Sequence, residues 1–404
     1  MTKRIPLYSV LILVTLTMLI TFNATYLAIN AKHNRQLNRL LAEYNTFDQL
    51  LSVDAVVKQH FIGEVDDQAL KEAVIRSYLS AIGDEYSLYM TSTEYEAYTA
   101  EQSGSSVGIG INVIFDAAAN VIEVISVLPD SPAEEAGMMG GDFIVAVDGQ
   151  RLADLGYYAT VDKIRGESGS SVELTVKRDG KELSITCVRR EVKTVSVTSH
   201  VFATDASVGV VRITEFNGTT PAQFQAAVED LQKKGCKKFV FDLRNNPGGE
   251  LNSIVEVLDY LLPTGPLAHI YYKSGNDSHY TSKASYVDAP VAVLTNGQTA
   301  SAAELFTAAL RDYTDQGSYD ATIVGLKTFG KGTLQRFFLM KDGSAFKISV
   351  GRYDPPYAEN YDGVGILPDV EVALSEEAAS INFNKLTDQN DNQLIAAVEA
   401  LKSK

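Results

Sequence analysis

Apolar positions follow three successive patterns along the chain. The first is a continuous run. No charged residue occurs between Arg4 and Lys32. Leu7–Ile29 reaches the length of about 20 apolar residues that a bilayer-crossing helix needs. A cleaved signal peptide has a shorter apolar core and a small-x-small site. Leu27-Ala28-Ile29 is a poor site of that kind, so an uncleaved signal anchor is expected over residues 1–31. Behind it, Leu37, Leu40, Leu41, Tyr44, Phe47 and Leu51 recur at helical spacing. Leu70, Val74, Ile75, Tyr78, Leu79 and Ile82 mark a further helix from about Gln68 to Ala81, ended by Gly83-Asp84. Residues 32–103 are therefore read as a helical N-terminal region, serving as a spacer or as a dimerisation or capping element.

From Gly104 the period shortens towards two. Val121–Val127 reads as a strand. Ser131-Pro132-Ala133-Glu134-Glu135-Ala136-Gly137 reads as a short helix, with Ser at the N-cap, Pro at N1 and Gly past the end. Gly141–Gly149 is a strand closing in an Asp-Gly turn. A helix near Tyr158–Arg165 precedes strands Ser171–Arg178 and Lys181–Arg189, which Asp179-Gly180 joins. Residues 104–190 thus form one compact mixed domain. In residues 191–375 strands alternate with helices: Val208–Ile213, then Thr220–Lys233, Lys238–Leu243, Glu250–Leu262, Val291–Thr295 and Ser301–Tyr313. That alternation implies an α/β layer with a largely parallel sheet. A tail, 376–404, ends in a helix Asn392–Lys402 behind Asp391. The chain is read as a multidomain α+β protein.

Charge narrows the function. The net charge of −16 over 404 residues argues against a nucleic-acid binder, which needs clustered Lys and Arg. The short basic run Lys233, Lys234, Lys237, Lys238 reads as a solvated face. Cys187 and Cys236 resemble no disulfide framework and lack metal-ligand spacing. The five His residues form neither H-x-x-x-H nor H-E-x-x-H, which disfavours a zinc hydrolase. No metal or cofactor is expected.

Three stretches carry chemistry. Phe241-Asp242-Leu243-Arg244-Asn245-Asn246-Pro247-Gly248-Gly249 follows a strand and precedes a helix, where α/β sheets bind ligands. Its glycine pair lets backbone N–H groups approach a substrate. Thr295–Glu304 is another strand-to-helix junction. There Ser301 either caps the helix, with Glu304 completing a capping box, or presents its hydroxyl beside the Ala302 N–H and the positive helix end. Thr328-Phe329-Gly330-Lys331-Gly332-Thr333-Leu334-Gln335 contains a decoy. Gly325 to Lys331 fits G-x-x-x-x-G-K, but Gly332 stands where a P-loop needs Ser or Thr, and a strand-like run follows. A lysine in a packed, Gly-flanked site can instead be neutral and act as a base, because desolvation penalises its ammonium. Gln335 would hold such an amine as the third member of a triad does. Spacing alone does not pair Ser301 with Lys331.

Together these motifs resemble those of the C-terminal processing peptidases, or tail-specific proteases, over about residues 60–375 and again at the C-terminal helix. Thr299–Glu304 is similar to that family's nucleophile motif. Thr328–Gly332 with Gln335 is similar to its Lys/Gln motif, and Asp242–Gly249 to its oxyanion loop. Gly365-Ile366-Leu367-Pro368-Asp369 and Asp84-Glu85-Tyr86-Ser87-Leu88-Tyr89 add two further matches. The resemblance implies a crotonase-like serine peptidase core over 191–375 and a PDZ-like domain over 104–190. It implies Ser301 as nucleophile, Lys331 as base, Gln335 as orienting residue, and Ala302 and Gly248 as oxyanion donors. Gly108, Ile109, Gly110 and Ile111 would bind a substrate's terminal carboxylate, and Arg165 would couple the two domains. Substrates would be proteins with accessible C-termini. The basic residues flanking the apolar run are nearly balanced and do not orient it; the resemblance places the body outside the cytoplasm on a single-pass anchor. The helical ends suggest a homodimer. The rival expectation is a catalytically inactive PDZ scaffold. Two departures from the family pattern are the insertion-like Asp315–Asp320 and the segment Pro355–Tyr361.

Overall fold

The structure, a computed structural model, describes residues 7–116, 121–128, 130–283 and 286–402. The chain separates into two units, Met1–Ile75 and Arg76–Lys404. In the first, the backbone runs as one helix, Leu7–His60, rather than as a span followed by a second helix. Among the described residues no helix is long and apolar enough to cross a membrane. The expected transmembrane helix over Leu7–Ile29 is therefore not supported. Within that expected span the side chains of residues 7–15, 23, 28 and 29 lie outside the described residues. The helix Asp67–Ser80 begins where the Asp66 carboxylate accepts the N–H groups of Gln68 and Ala69, a side-chain cap.

The second unit opens with a correction. Residues 32–103 are not wholly helical: Leu88–Met90 is a strand, paired antiparallel with Ala345–Lys347, before the helix Ser92–Gln102. Three residues are too few to show a period, and the partner strand lies far along the chain. The middle domain follows the expected elements closely. Its antiparallel sheet runs Ile111–Asp116, Val121–Val127, Phe143–Val147, Ser171–Arg178, Lys181–Val188, with Gln150–Arg151 beside the third strand. Asp148-Gly149 and Asp179-Gly180 make its tight turns with positive φ at both positions of each, as type I′ hairpins require. Chain entry and exit pair with each other: Ser105–Gly108 forms an antiparallel ribbon with Arg190–Lys193.

The core is built on a six-stranded sheet in the order Val197–Val201, Val208–Ile213, Lys238–Asp242, Val291–Thr295, Ala321–Gly325, Val370–Glu371. Only the first pair is antiparallel. The central strands are buried on both faces, which explains their unbroken apolar runs. Alternate residues serve opposite layers. Phe239, Phe241, Val291 and Val293 meet the helices Thr220–Lys233, Leu251–Leu261 and Ala302–Asp315, with Phe224 and Phe306 packed at the centre. Val240, Ala292 and Leu294 meet Leu394, Ala397, Val398 and Leu401 on the other side. The helix Asn392–Lys402, expected in a separate tail, is thus the second cover of the core sheet. A further antiparallel sheet joins Leu88–Met90, Ala345–Asp354, Pro266–Tyr272 and Ser278–Thr281, with Thr333–Leu339 also on Ala345–Asp354.

That last helix is fastened by Arg244. Its guanidinium, buried, donates to Asp242, to Asp391 at 2.7 and 3.0 Å, and to Gln393. The two carboxylates hold its proton affinity above the ordinary arginine value although burial opposes this. Arg244→Met leaves Asp242 and Asp391 buried without their cation. We expect a loss of about 3–5 kcal/mol, read as a lowered melting temperature, with hydrogen exchange over Asn392–Lys402 rising first.

Candidate active site

Three loops converge at the carboxyl ends of three neighbouring parallel strands, the usual ligand position in such sheets. They follow Lys238–Asp242, Val291–Thr295 and Ala321–Gly325. Cross-hydrogen bonds lock the first two. Asn296 accepts the Asn245 N–H at 3.0 Å and donates to the Asn245 side chain at 2.8 Å. Thr299 Oγ1 donates to the Leu243 carbonyl, and the Ala300 N–H to that of Asn246. The Phe329 N–H donates to the Thr299 carbonyl and brings in the third loop.

Ser301 stands at the start of the helix Ala302–Asp315 with φ 58° and ψ −119°, a strained conformation for a residue with a Cβ. Glu304 holds it there. The expected capping contact is present, since Glu304 Oε2 accepts the Ser301 N–H at 2.9 Å. The same fully buried carboxylate accepts from Thr328 Oγ1 at 2.6 Å, the Gly330 N–H at 2.6 Å and the Lys331 N–H at 2.7 Å. One side chain therefore ties the Ser301 turn to the Lys331 loop.

Ser301, Lys331, Gln335, Lys347 and Tyr353 line one cavity of about 600 Å³, within the range of ligand sites. The Tyr353 hydroxyl lies 2.8 Å from the Lys331 carbonyl and 3.1 Å from Ser301 Oγ. The Tyr353 hydroxyl is the donor in both contacts, its one proton shared between the Lys331 carbonyl and Ser301 Oγ. No hydrogen bond joins Ser301 Oγ to Lys331 Nζ among the described residues. Lys331 Nζ sits 4.3 Å from the centre of the Tyr86 ring. Burial lowers its proton affinity below the ordinary lysine value, and the nearby charge of Lys347 lowers it further, against Asp84, Glu85 and Glu304. An alcohol and an amine of depressed basicity in one cavity form the pair needed for nucleophilic catalysis.

The oxyanion side differs from expectation. Gly248 does lie against Ser301: a Cβ there would meet the Ala302 nitrogen at 2.8 Å and the Ala300 oxygen at 2.7 Å. Its N–H, however, is engaged with Asn246 Oδ1 at 2.8 Å. The Gly248 carbonyl accepts from Phe216, so across the trans peptide the Gly249 N–H points the opposite way. Neither that N–H nor the Ala302 N–H has an acceptor among the described residues, and both residues line the cavity. Gln335 is not on Lys331. Its amide donates to Thr333 and to Ser349 Oγ.

In the middle domain, Ile109 is a core residue and its carbonyl accepts the Ala133 N–H at 2.8 Å. Gly110, at φ 78°, fits closely against Ser131. Gly108 ends the ribbon strand and Ile111 starts the sheet. Arg165 is exposed, with no hydrogen bond or ion pair from its side chain among the described residues. The arginine that anchors its helix is Arg189, which donates to the carbonyls of Lys163 and Ile164.

Comparison with known proteins adds the family. Residues 207–372 match the model of peptidase family S41, and residues 123–178 that of the PDZ domain. A carboxy-terminal-processing protease of Bartonella bacilliformis is 32% identical over 342 residues, covering 82% of this chain and 76% of that protein. The chain belongs to peptidase family S41. A carboxyl-terminal-processing protease of Picosynechococcus is likewise 32% identical over 335 residues, covering 80% of this chain and 77% of its own. A Bacteroides fragilis structure named as an S41 protease shares the fold at a TM-score of 0.56 and 19% identity, covering 87% of this chain and 97% of that one. The S41 chain is thus a serine-type peptidase of the C-terminal processing family and carries a PDZ domain. Catalytic inactivity has no support from these relatives.

The S41 segment contains all three loops and Tyr353. Tyr86 lies outside it, in the Asp84–Tyr89 motif that sequence reasoning matched without assigning a role. Glu304 reads in the sequence only as a cap; Asn246 and Gly249 belong to the loop whose glycine pair the sequence already marks, and Tyr353 and Lys347 carry no local signal. Gly248→Ala forces a Cβ into the backbone of residues 300–302 at a φ of 100°. We expect labelling of Ser301 by a fluorophosphonate to fall about 100-fold, the scale of losing an oxyanion donor, while the circular dichroism spectrum is kept.

Proposed function

We propose that this peptidase cleaves proteins near or from their C-terminus through an acyl-enzyme on Ser301, with Lys331 as general base. The observation that supports this best is Glu304, which holds the turn of the one residue and the loop of the other on a single carboxylate. In this reading neutral Lys331 takes the Ser301 proton as Oγ attacks the scissile carbonyl. Lysine then gives that proton to the departing amine, and water hydrolyses the ester with Lys331 again as base. The Ala302 N–H and the glycine pair facing it stabilise the oxyanion, with Gly249 offering the unengaged N–H and Gly248 the close approach. Gln335 takes up its orienting role by exchanging Thr333 and Ser349 for Lys331. Ser301 Oγ, which accepts from Tyr353, must likewise come to donate to Lys331, so the described arrangement is a resting one.

The PDZ domain receives the substrate tail on the Gly108–Ile111 loop, and Arg165, on the helix end nearest that domain's exit, couples tail binding to the core. The uncharged stretch between Arg4 and Lys32 supports a single-pass membrane anchor, and the family resemblance supports a catalytic body outside the cytoplasm. The long N-terminal helix supports a homodimer.

Ser301→Ala and Lys331→Ala each abolish cleavage of an unstructured peptide with an apolar C-terminus, followed by mass spectrometry, while melting temperature is kept; full activity in either variant rejects the mechanism. The pH dependence has a fixed sign. The neutral fraction of Lys331 grows as pH rises, and its lowered proton affinity places that rise below the ordinary lysine value of about 10.4. kcat/KM should therefore climb with pH and reach its plateau before that value; a flat profile from acid to alkaline contradicts the assignment.

A further inference from the structure

We propose that Lys347 binds the C-terminal carboxylate of the peptide inside the catalytic cavity, so that the cut falls within a few residues of the chain end. The inference rests on the Ser301 reading above, and adds a specificity-determining residue to it.

Lys347 lies on the strand Ala345–Asp354, paired with Phe337 on one side and Leu88 on the other. It lines the same cavity as Ser301 and Lys331. Its ammonium lies beside a pair of packed aromatic rings, 5.8 Å from the centre of Tyr98 and 5.7 Å from that of Phe337, whose own centres are 4.8 Å apart. Such walls favour a cation and shed water. Among the described residues, no carboxylate forms an ion pair with Lys347. Asp84 is the acid whose charge reaches it, but the Asp84 oxygens already accept from Ser87, from the Tyr86 N–H and from the Ser349 N–H. Burial lowers the Lys347 proton affinity, which marks an ammonium short of solvent and of counter-charge. A half-buried cation in that state gains most from an arriving anion.

The rest of the cavity says which anion. Among the described residues its one acidic side chain is Glu250, which follows the Gly248-Gly249 turn on the Ser301 wall. Of the three cations lining it, Arg336 is exposed and Lys331 serves the nucleophile in the reading above, which leaves Lys347 as the half-buried positive charge away from Glu250. Leu251, Ile254, Leu305 and Leu334 supply apolar surface between. An anion with an apolar body and a peptide backbone fits this polarity: the α-carboxylate of a chain ending in an apolar residue. A cavity of about 600 Å³ admits only a short stretch of chain between that carboxylate and Ser301.

The test compares two short peptides of one sequence, one ending in a free carboxylate and one in a carboxamide, on the full chain. Wild type should prefer the free acid about tenfold in kcat/KM, chiefly through KM, the scale of a charge-assisted hydrogen bond. In Lys347→Met the preference should vanish, and Lys347→Arg should restore most of it. Wild type that does not distinguish the peptides overturns the proposal, as does a preference that survives in Lys347→Met. A preference lost instead in Gly110→Val also overturns it, because the carboxylate then belongs to the PDZ loop. If Lys347→Met shifts the pH profile yet keeps the preference, Lys347 acts only on the charge of Lys331 and the proposal fails. Ser301→Ala run alongside separates the two levels: activity surviving there rejects the nucleophile, whereas its loss together with an unchanged preference in Lys347→Met rejects this inference alone.

Discussion

The buried carboxylate of Glu304 is the interaction on which the site depends. It accepts four hydrogen bonds from two loops that end different strands. A fully buried carboxylate costs several kcal/mol to desolvate unless its lone pairs are filled, and here four donors fill them. The strained turn at Ser301 is stable because its N–H is one of those donors. The Lys331 backbone is fixed by another.

Much of the core was legible because its signals are local. Val208–Ile213, Lys238–Asp242 and Val291–Thr295 are apolar runs of strand length between capped helices, and they appear where the pattern places them. The second sheet was not legible. Leu88–Met90 is very short, and Ala345–Asp354 mixes charges and glycine with apolar residues because one of its faces lines a polar cavity. The site divides in the same way. Ser301 and Lys331 sit in recognisable turns, but Glu304 three residues past Ser301 has an ordinary local meaning as a cap. Its reach to Thr328 and Lys331 exists only because Val291–Thr295 and Ala321–Gly325 are adjacent in the sheet. Gly248 and Gln335 were found as residues but not as bonds: nothing in the local sequence tells that Asn246 takes up the one N–H, or that Ser349 takes up the other's amide.

Electrostatically the site is a contest over protons. Lys331 is partly buried, lies over the face of Tyr86 and meets a second positive charge. Tyr353, whose own proton affinity is pushed above the ordinary tyrosine value by burial, stays neutral and donates hydrogen bonds to the Lys331 carbonyl and to Ser301 Oγ.

The ribbon of Ser105–Gly108 with Arg190–Lys193 makes the middle domain an insertion in the mechanical sense. Gly108 and Arg190 are direct partners across it, so roughly eighty residues leave and return through one neck two strands wide. A unit attached in this way can be lengthened, exchanged or lost without breaking any strand of the core sheets. The core would then see only a hairpin of different length. Recombination between relatives can therefore trade the recognition module while leaving the hydrolytic machinery intact.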